Sequence, residues 1–494
     1  MTLVVGSLAS RNETARRVQT PRPKRVKDES GVARSEDWMS MPSSPLRTEE
    51  AQSGRADPFG RHGALSVFAW AALVGGGAGL TGALFRILVR GFTEGRLSVL
   101  GPEGSRTFLS LALSIALTAV MTSAALFLVH RFAPEASGSG VQEIEGALEG
   151  LRPVRWQRVL PVKFLGGLLA LGGGLVLGRE GPTIQMGGNL GKMIADRRRL
   201  PLSLERTLVA AGAGAGLAAA FNAPLSGVLL VLEEMRSQFK YSFTSLQALV
   251  IACATADIAV RVLTGQGPAI SILSFEAPPL ASLWLFPIFG AVFGPLGLLF
   301  ARLLVWTLDR FASLKGRARP AAGALLGAGI GLLGWLYPAT VGGGDELIPS
   351  ILALPMAASS LLLLFAVRFG TSALSYGCGA PGGIFAPMLA LGTLFGMAYG
   401  HSVHALFPDL IHDPGVFAVA GMGALFTATV RAPITGVALA IEITANYEQI
   451  LPLLLTCSAA TIAAELLGNE PIYSVLLRRS LARTTTATNP TGPV

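Results

Sequence analysis

Several long stretches of the chain are apolar and carry no charge. Ala64–Phe85, Phe108–Val129 and Leu280–Phe300 contain no Asp, Glu, Lys or Arg over their whole length. Each run reaches the roughly 20 residues that a helix needs to cross the hydrocarbon core of a bilayer. The pattern predicts a protein that crosses a membrane several times, and these three runs are its clearest spanning helices.

Other apolar segments are too short or too often interrupted to span a bilayer alone. Free backbone ends inside a membrane are tolerated only where they line a polar cavity. We therefore expect half-helices that end within the membrane. These segments are Phe164–Leu177, Thr183–Met193, Leu208–Ala220, Leu225–Leu232 and Ile384–Met397.

The sequence contains an internal repeat. The segment Ala210–Glu233 reappears as Val419–Glu442 at one constant offset, and a second pair of matching patterns precedes the two copies. Such a duplication in an apolar chain is typical of transporters whose substrate site lies between repeats near the bilayer midplane. The matched residues are Gly178, Pro182, Gly187 and Gly191 with Gly383, Pro387, Gly392 and Gly396, then Gly212, Gly214, Ala223, Pro224, Gly227 and Glu233 with Gly421, Gly423, Ala432, Pro433, Gly436 and Glu442.

Composition excludes an ordinary soluble domain and a disordered chain. Of the 494 residues, 51% are hydrophobic and only 14% are charged, and the mean hydropathy is +0.55. The net charge of +9 comes from basic residues at the edges of apolar runs, as at Arg197–Arg199 and Arg310–Arg319. The positive-inside rule explains these clusters without a nucleic-acid partner, so we place them in the cytoplasm.

The two ends of the chain differ from its apolar middle. Residues 1–61 are rich in Arg, Ser, Pro and Glu and are predicted to form a disordered cytoplasmic tail, and residues 483–494 form a short cytoplasmic C-terminal tail. Cys253, Cys378 and Cys457 lie singly in apolar surroundings. They are interpreted as small core residues rather than as metal or redox ligands.

Three glycine-containing stretches lie where a bilayer demands continuous helix, and the second and third of them also contain proline. They are Gly138-Ser-Gly-Val-Gln-Glu-Ile-Glu, Gly178-Arg-Glu-Gly-Pro and Gly383-Ile-Phe-Ala-Pro. Glycine lets the backbone turn and approach an ion closely, and a predicted helix follows each stretch. Because helix starts present unpaired N–H groups and a partial positive charge, several starts that meet form an anion site. Partial charges also bind weakly enough for the rapid release that conduction requires.

On these motifs the chain resembles the CLC family of chloride channels and proton-coupled chloride transporters. The similarity runs from about Ala64 to Ala482, and Tyr447 in Thr-Ala-Asn-Tyr-Glu matches a late tyrosine of that family. The resemblance implies an all-α polytopic membrane protein with two inverted repeats of full-length and broken helices, assembled as a homodimer. We place the first membrane repeat at residues 62–269 and the second at residues 270–482.

The resemblance also implies the anion ligands. Ser139 and Tyr447 would donate their hydroxyls to the central anion, and the backbone amides of Ile384 and Phe385 would complete its shell. The alternatives are a helix N-cap for Ser139 and an interfacial anchor for Tyr447. The backbone of the motifs would surround the site, and it comprises Gly138, Gly140, Gly178, Arg179, Gly181, Pro182, Gly383, Ala386 and Pro387.

Glu180 stands at a predicted helix start inside an apolar protein. The partial charge that would hold a halide also favours a carboxylate, so Glu180 can take the place of the anion when ionised and leave it when protonated. Glu180 would then act as both gate and proton carrier. The alternative is a loop acid paired with the neighbouring Arg179.

Two adjacent acids follow the apolar run Val228–Leu232. Neighbouring residues on a helix point roughly 100° apart, so one acid can face the protein and the other the solvent. By resemblance Glu234 is the internal proton acceptor of exchangers, and the alternative is an acid that snorkels near Arg236 and Lys240. Glu233 repeats as Glu442, which indicates shared architecture rather than proton chemistry.

A few further polar residues lie within or beside the predicted helices. Asp257 and Arg261 lie four residues apart on a predicted helix and would neutralise each other, while Lys163 is expected to snorkel from a span end. Where the family commonly has Pro after Gly-Ser-Gly-Ile, this chain has Val141-Gln142. The substitution leaves the preference between chloride and nitrate open.

The leading hypothesis is secondary active exchange of chloride for protons, with Glu180 as gate and Glu234 as internal relay. The alternative is a passive voltage- or pH-gated chloride channel of the same family, and Glu234 favours exchange. An enzyme would need a nucleophile with a base or a metal cluster, and neither is visible in the sequence. The expected partners are chloride, protons, lipid and a second copy of the chain, without cofactor, metal or nucleic acid. The expected location is a bacterial inner membrane, with both termini cytoplasmic.

Overall fold

The structure is a computed structural model that describes residues 60–100, 106–236, 238–239, 241–270 and 275–488. Within these ranges every regular element is helical, which confirms the all-α prediction. The N-terminal tail expected at residues 1–61 lies outside the described residues as far as residue 59. The α-helices are α1 (Gly60–Leu100), α2 (Phe108–Phe132), α3 (Val141–Leu148), α4 (Trp156–Gly172), α5 (Glu180–Arg198), α6 (Leu202–Phe221), α7 (Pro224–Glu233), α8 (Phe243–Thr264), α9 (Leu285–Ser313), α10 (Ala318–Leu336), α11 (Leu347–Ala353), α12 (Ala358–Gly377), α13 (Phe385–Leu406), α14 (Gly415–Val430), α15 (Pro433–Thr444), α16 (Ile450–Leu466) and α17 (Ile472–Thr488).

In the described part of the chain, 7 helical segments are long and apolar enough to cross a membrane. Helices α1 and α2 contain two of the uncharged runs, and the third lies within the helical segment Leu280–Ser313 that includes α9, so those predictions are confirmed. The other four are α8, α10, α12 and α16 with its preceding turn, and each carries charged residues that interrupt the sequence pattern. In α8 the charges neutralise each other as predicted, because Arg261 Nε lies 2.6 Å from Asp257 Oδ2.

The expected half-helices are only partly correct. Helices α5, α6 and α13 run for 19, 20 and 22 residues, because polar residues carry each helix beyond the apolar stretch that the sequence pattern marked. Helix α7 remains short with 10 residues, and its repeat counterpart α15, which the sequence pattern did not mark, is short as well with 12 residues. At a rise of about 1.5 Å per residue, they cover about half of a bilayer core.

The two halves of the chain repeat one packing pattern. Helix α5 packs on α6 as α13 packs on α14, and α1 packs on α8 as α9 packs on α16. At the first contact a Cβ on Gly187 would overlap the Gly212 carbonyl, and Gly392 repeats this approach at Gly421. The glycines that recur in the sequence are therefore positions where two helix backbones touch.

The repeats are inverted. The start of α7 contacts the end of α15, and the start of α15 contacts the end of α7. The two equivalent helices consequently run antiparallel to each other. At the C-terminal end, α17 extends to Thr488, beyond residue 483 where the sequence placed the start of a tail, and residues 489–494 lie outside the described part.

Candidate functional site

The three glycine-rich motifs meet in space. The Gly138 N–H donates to the Ala380 carbonyl at 3.2 Å, and the Gly382 N–H donates to the Gly138 carbonyl at 3.0 Å. Gly178 and Gly383 exchange two backbone hydrogen bonds of 2.8 and 2.7 Å. Loops more than 200 residues apart in the chain are thus held together by their own backbones.

A helix begins directly behind each loop. Helix α3 begins at Val141, α5 at Glu180 and α13 at Phe385. The first N–H groups of a helix have no acceptor within it, and they carry its partial positive charge. A Cβ on Gly383 would lie 2.8 Å from the Gly181 nitrogen, so the starts of α5 and α13 are nearly in contact. Such a meeting of helix starts is suited to an anion.

Glu180 lies between the starts of α5 and α13. Its side chain is fully buried, and neither carboxylate oxygen has a hydrogen-bond partner among the described residues. The backbone N–H groups of Glu180 itself and of Ala386 are the donors that face it. A Cβ on Gly178 would overlap this carboxylate, so glycine at this position leaves the carboxylate room in its present orientation.

Arg179 does not pair with Glu180. Its Nη1 lies 2.6 Å from Asp345 Oδ2, and its Nε donates to the Ala220 carbonyl at 3.0 Å. The alternative interpretation of Glu180 as the partner of Arg179 is therefore wrong. Asp345 was not identified from the sequence, because it lies in an ordinary-looking Gly-rich loop far along the chain.

Arg368 holds the loop that carries Asp345. This fully buried side chain of α12 donates to the carbonyls of Ala339, Val341 and Gly342 at 2.7, 3.0 and 2.7 Å. Backbone carbonyls thus satisfy a guanidinium that would otherwise be costly to bury. The loop thereby keeps Asp345 in position to pair with Arg179.

Ser139 lies beside the start of α5. A Cβ on Gly181 would lie 2.5 Å from Ser139 Oγ. The Ser139 N–H donates to Tyr376 Oη at 3.3 Å, while its own buried Oγ has no hydrogen-bond partner among the described residues. Helix α3 begins after Gly140 without a side-chain cap, so the N-cap alternative for Ser139 is wrong.

Tyr447 does not lie at this site, and its assignment as an anion ligand is wrong. Its side chain is 65% exposed in the turn before α16. Tyr473, in the first turn of α17, is fully buried, and its ring centroid lies 5.9 Å from that of Phe385. Its hydroxyl has Ser139 and Tyr376 as neighbours but completes no hydrogen bond within the described residues. The available sequence signal was Pro471, which precedes Tyr473 at a helix start.

Two acids lie near Tyr473. Glu234 caps the end of α7 and is partly exposed, whereas Glu145 of α3 is 3% exposed. The two carboxyls are close enough to repel each other when both are ionised, and both are electrostatic neighbours of Tyr473. The sequence interpretation missed Glu145, although it is the last residue of the Gly138 motif.

Lys163 does not snorkel. Its side chain is fully buried, and its Nζ donates to the carbonyls of Ala136 and Gly138 at 3.0 and 2.6 Å. These two carbonyls compensate the ammonium, which would otherwise need water. The lysine thereby holds the loop at Gly138 in place through these hydrogen bonds.

A cavity of about 560 Å³ adjoins Gly138. We call it the inner vestibule, because it lies beside the Arg310–Arg319 cluster that the sequence places in the cytoplasm. Gln142 lines it, is largely buried and leaves its Oε1 without a hydrogen-bond partner in the described part of the chain. The departure from proline thus places an amide at the inner approach to Ser139.

Comparison with known proteins finds relatives over most of the chain. The family model described as "Voltage gated chloride channel" matches residues 121–465. Proteins of Vibrio parahaemolyticus and Vibrio cholerae, both named H(+)/Cl(-) exchange transporter ClcA, are 51% and 52% identical over 421 residues, which cover 84% of this chain and 90% of each relative. The solved structure of a slow cyanobacterial Cl-/H+ antiporter aligns with a TM-score of 0.82 at 44% identity, covering 85% of this chain and 99% of that one.

Proposed function

The chain belongs to the CLC family of voltage gated chloride channels and transporters, and we propose that it exchanges chloride for protons across the membrane. The observation that carries this proposal is the position of Glu180. Its buried, unpartnered carboxylate lies where the starts of α5 and α13 meet. A carboxylate and a halide would compete for the same N–H groups, which is the physical basis of coupling.

Neutral donors bind the anion in this proposal. The Ser139 and Tyr473 hydroxyls and the N–H groups of Ile384 and Phe385 would be its ligands, and Tyr473 takes the role that the resemblance assigned to Tyr447. Both hydroxyls are buried and unpartnered in the described structure, so each has a hydrogen bond to offer. Because none of these ligands carries a full charge, chloride is held weakly enough to leave.

The carboxyls carry the proton. Glu180 accepts a proton when it leaves the anion pocket, and Glu234 exchanges protons with the cytoplasm. Glu145, which lies close to Glu234, shares in this step. Two neighbouring carboxylates repel each other when both are ionised, so the pair binds one proton more readily than an isolated carboxylate does. Each pH unit of proton gradient then supplies about 1.4 kcal/mol for moving chloride.

The passive channel remains the second candidate. The pair Glu145 and Glu234 favours exchange, because a channel needs no acid at the inner end of α7. The names of the Vibrio relatives and of the cyanobacterial antiporter point the same way. We further propose a homodimer in a bacterial inner membrane, with both termini cytoplasmic and the repeats bounded at residues 62–269 and 270–482.

A flux measurement tests the proposal. The full-length protein is reconstituted in liposomes under an outward chloride gradient, and external pH is followed with an electrode. Exchange predicts proton uptake against its gradient as chloride leaves, and a proton ionophore should abolish that pH change. Chloride efflux without proton movement would instead identify a channel. Protein-free liposomes measure the background leak.

A further inference from the structure

The inner vestibule is strongly basic. Five arginines and His130 line it, against two acids. Most of this positive charge is compensated locally by ion pairs, which leave little net field at a distance. The pairs are Arg152 with Glu143 at 2.8 Å, Arg155 with Glu135 at 3.1 Å, and Arg479 with Asp309.

Arg319 is different. It stands in the first turn of α10, is half-buried and forms no ion pair with any described residue. Its Nε is buried without a hydrogen-bond partner, and a Cβ on Gly379 would lie 3.9 Å from one of its terminal nitrogens. The titratable side chains that face it from α2 and from the end of α12 are His130 and Cys378, and the Cys378 thiol donates to the Ser375 carbonyl.

The guanidinium lies one short loop away from the anion pathway. The Gly379 carbonyl next to it accepts a hydrogen bond from Ser137 Oγ at 3.0 Å, and the following Ala380 carbonyl accepts from the Gly138 N–H. Arg158, which also lines the vestibule, is exposed, so solvent ions screen its charge more effectively. Among the arginines that line the vestibule, Arg319 is therefore the half-buried one that has no ion pair in the described part of the chain.

We propose that Arg319 draws chloride from the cytoplasm into the inner vestibule and so sets the access of chloride to the central pocket from that side. This inference rests on the proposed function, because it takes the pathway to pass Gly138. A concave wall of low dielectric focuses the field of an uncompensated charge and raises the local anion concentration. Because the charge stands outside the pocket of neutral ligands, it attracts chloride without trapping it.

Matched charge variants test this role. Arg319→Gln should raise the apparent KM for chloride about three- to tenfold, as expected for one unit charge several ångströms from the path. The maximal flux and the ratio of protons to chloride should stay unchanged. Arg319→Lys should behave like the parent protein. Arg317→Gln removes the same charge from an exposed residue at the start of the same helix and should leave KM unchanged.

Two further experiments distinguish an effect of the Arg319 charge from a structural effect of its substitution. An impermeant salt should shrink the difference between the parent and Arg319→Gln, because it screens the charge. Cys253, Cys378 and Cys457 are all buried, so Arg319→Cys offers one accessible thiol. A cationic thiol reagent should lower KM towards the parent value, and an anionic reagent should raise it further.

The proposal is overturned if Arg319→Gln keeps the parental KM, if Arg319→Lys behaves like Arg319→Gln, or if both reagents shift KM equally. These results are distinct from a failure of exchange itself. A parent protein that moves chloride without protons would refute exchange, while the comparison of chloride KM among the variants would still test Arg319.

Discussion

Glu233 and Glu442 each bind the start of the half-helix that belongs to the other repeat. Each carboxylate accepts two backbone N–H groups and one hydroxyl, so each satisfies helix donors that would otherwise lack acceptors. The exchange is reciprocal, as two antiparallel copies of one element require. The bonds to Glu233 come from Ile434 N (3.0 Å), Thr435 N (2.7 Å) and Thr435 Oγ1 (2.7 Å), and those to Glu442 from Leu225 N (2.9 Å), Ser226 N (2.7 Å) and Ser226 Oγ (2.6 Å).

Glu233→Gln and Glu442→Gln should each destabilise the protein by about 1–3 kcal/mol, because an amide NH₂ would then face backbone donors and one acceptor oxygen would be lost. The coupling ratio of the remaining folded protein should not change. Thermal unfolding in detergent and flux in liposomes measure the two effects. A selective loss of proton transport at unchanged stability would contradict this structural role.

Glu180→Gln should abolish proton uptake and leave chloride flux, because glutamine has the shape of the protonated acid but cannot release and take up a proton near neutral pH. Glu180→Ala should abolish proton uptake as well. Paired recordings of chloride efflux and external pH measure both quantities. Proton uptake above the leak of protein-free liposomes in either variant would remove Glu180 from the proton route.

Glu234→Gln should lower proton uptake at least about tenfold while chloride flux persists, because the relay loses its group for proton exchange with the cytoplasm. Glu145→Gln should have the same sign and a smaller size. The neighbouring Glu233→Gln is the matched control, because the change is the same and the role is structural. Equal loss of both fluxes in Glu234→Gln would point to misfolding instead.

Tyr473→Phe should weaken chloride binding about two- to tenfold, as expected for the loss of one hydroxyl donor worth about 0.5–1.5 kcal/mol, and should loosen coupling. Tyr447→Phe should change neither property, because that side chain is exposed. Calorimetric titration with chloride and the flux ratio provide the two readouts. A larger effect of Tyr447→Phe would restore the sequence assignment.

The local and repeated features of this protein could be predicted from its amino-acid sequence alone. Uncharged runs in α1, α2 and α9 marked spanning helices because a bilayer tolerates few charges. The repetition of Gly187 as Gly392 marked equivalent positions of the two halves, and the structure shows that both are close helix contacts, since only glycine permits backbones to approach so nearly. The three glycine motifs indicated convergent helix starts. This feature could be predicted because each motif contains its own turn and the start of the helix that follows it.

The distant side chains that lie around the candidate site became apparent in the folded structure and not in the sequence pattern. Tyr473 and not Tyr447 lies beside Phe385, and Lys163 supports Gly138 instead of reaching for water. Glu145 lies close to Glu234 across nearly 90 residues of chain. The residues next to a tyrosine or an acid in the sequence do not indicate which distant residue it will contact. Such contacts arise when inverted repeats pack against each other, and packing joins positions that sequence spacing leaves unrelated.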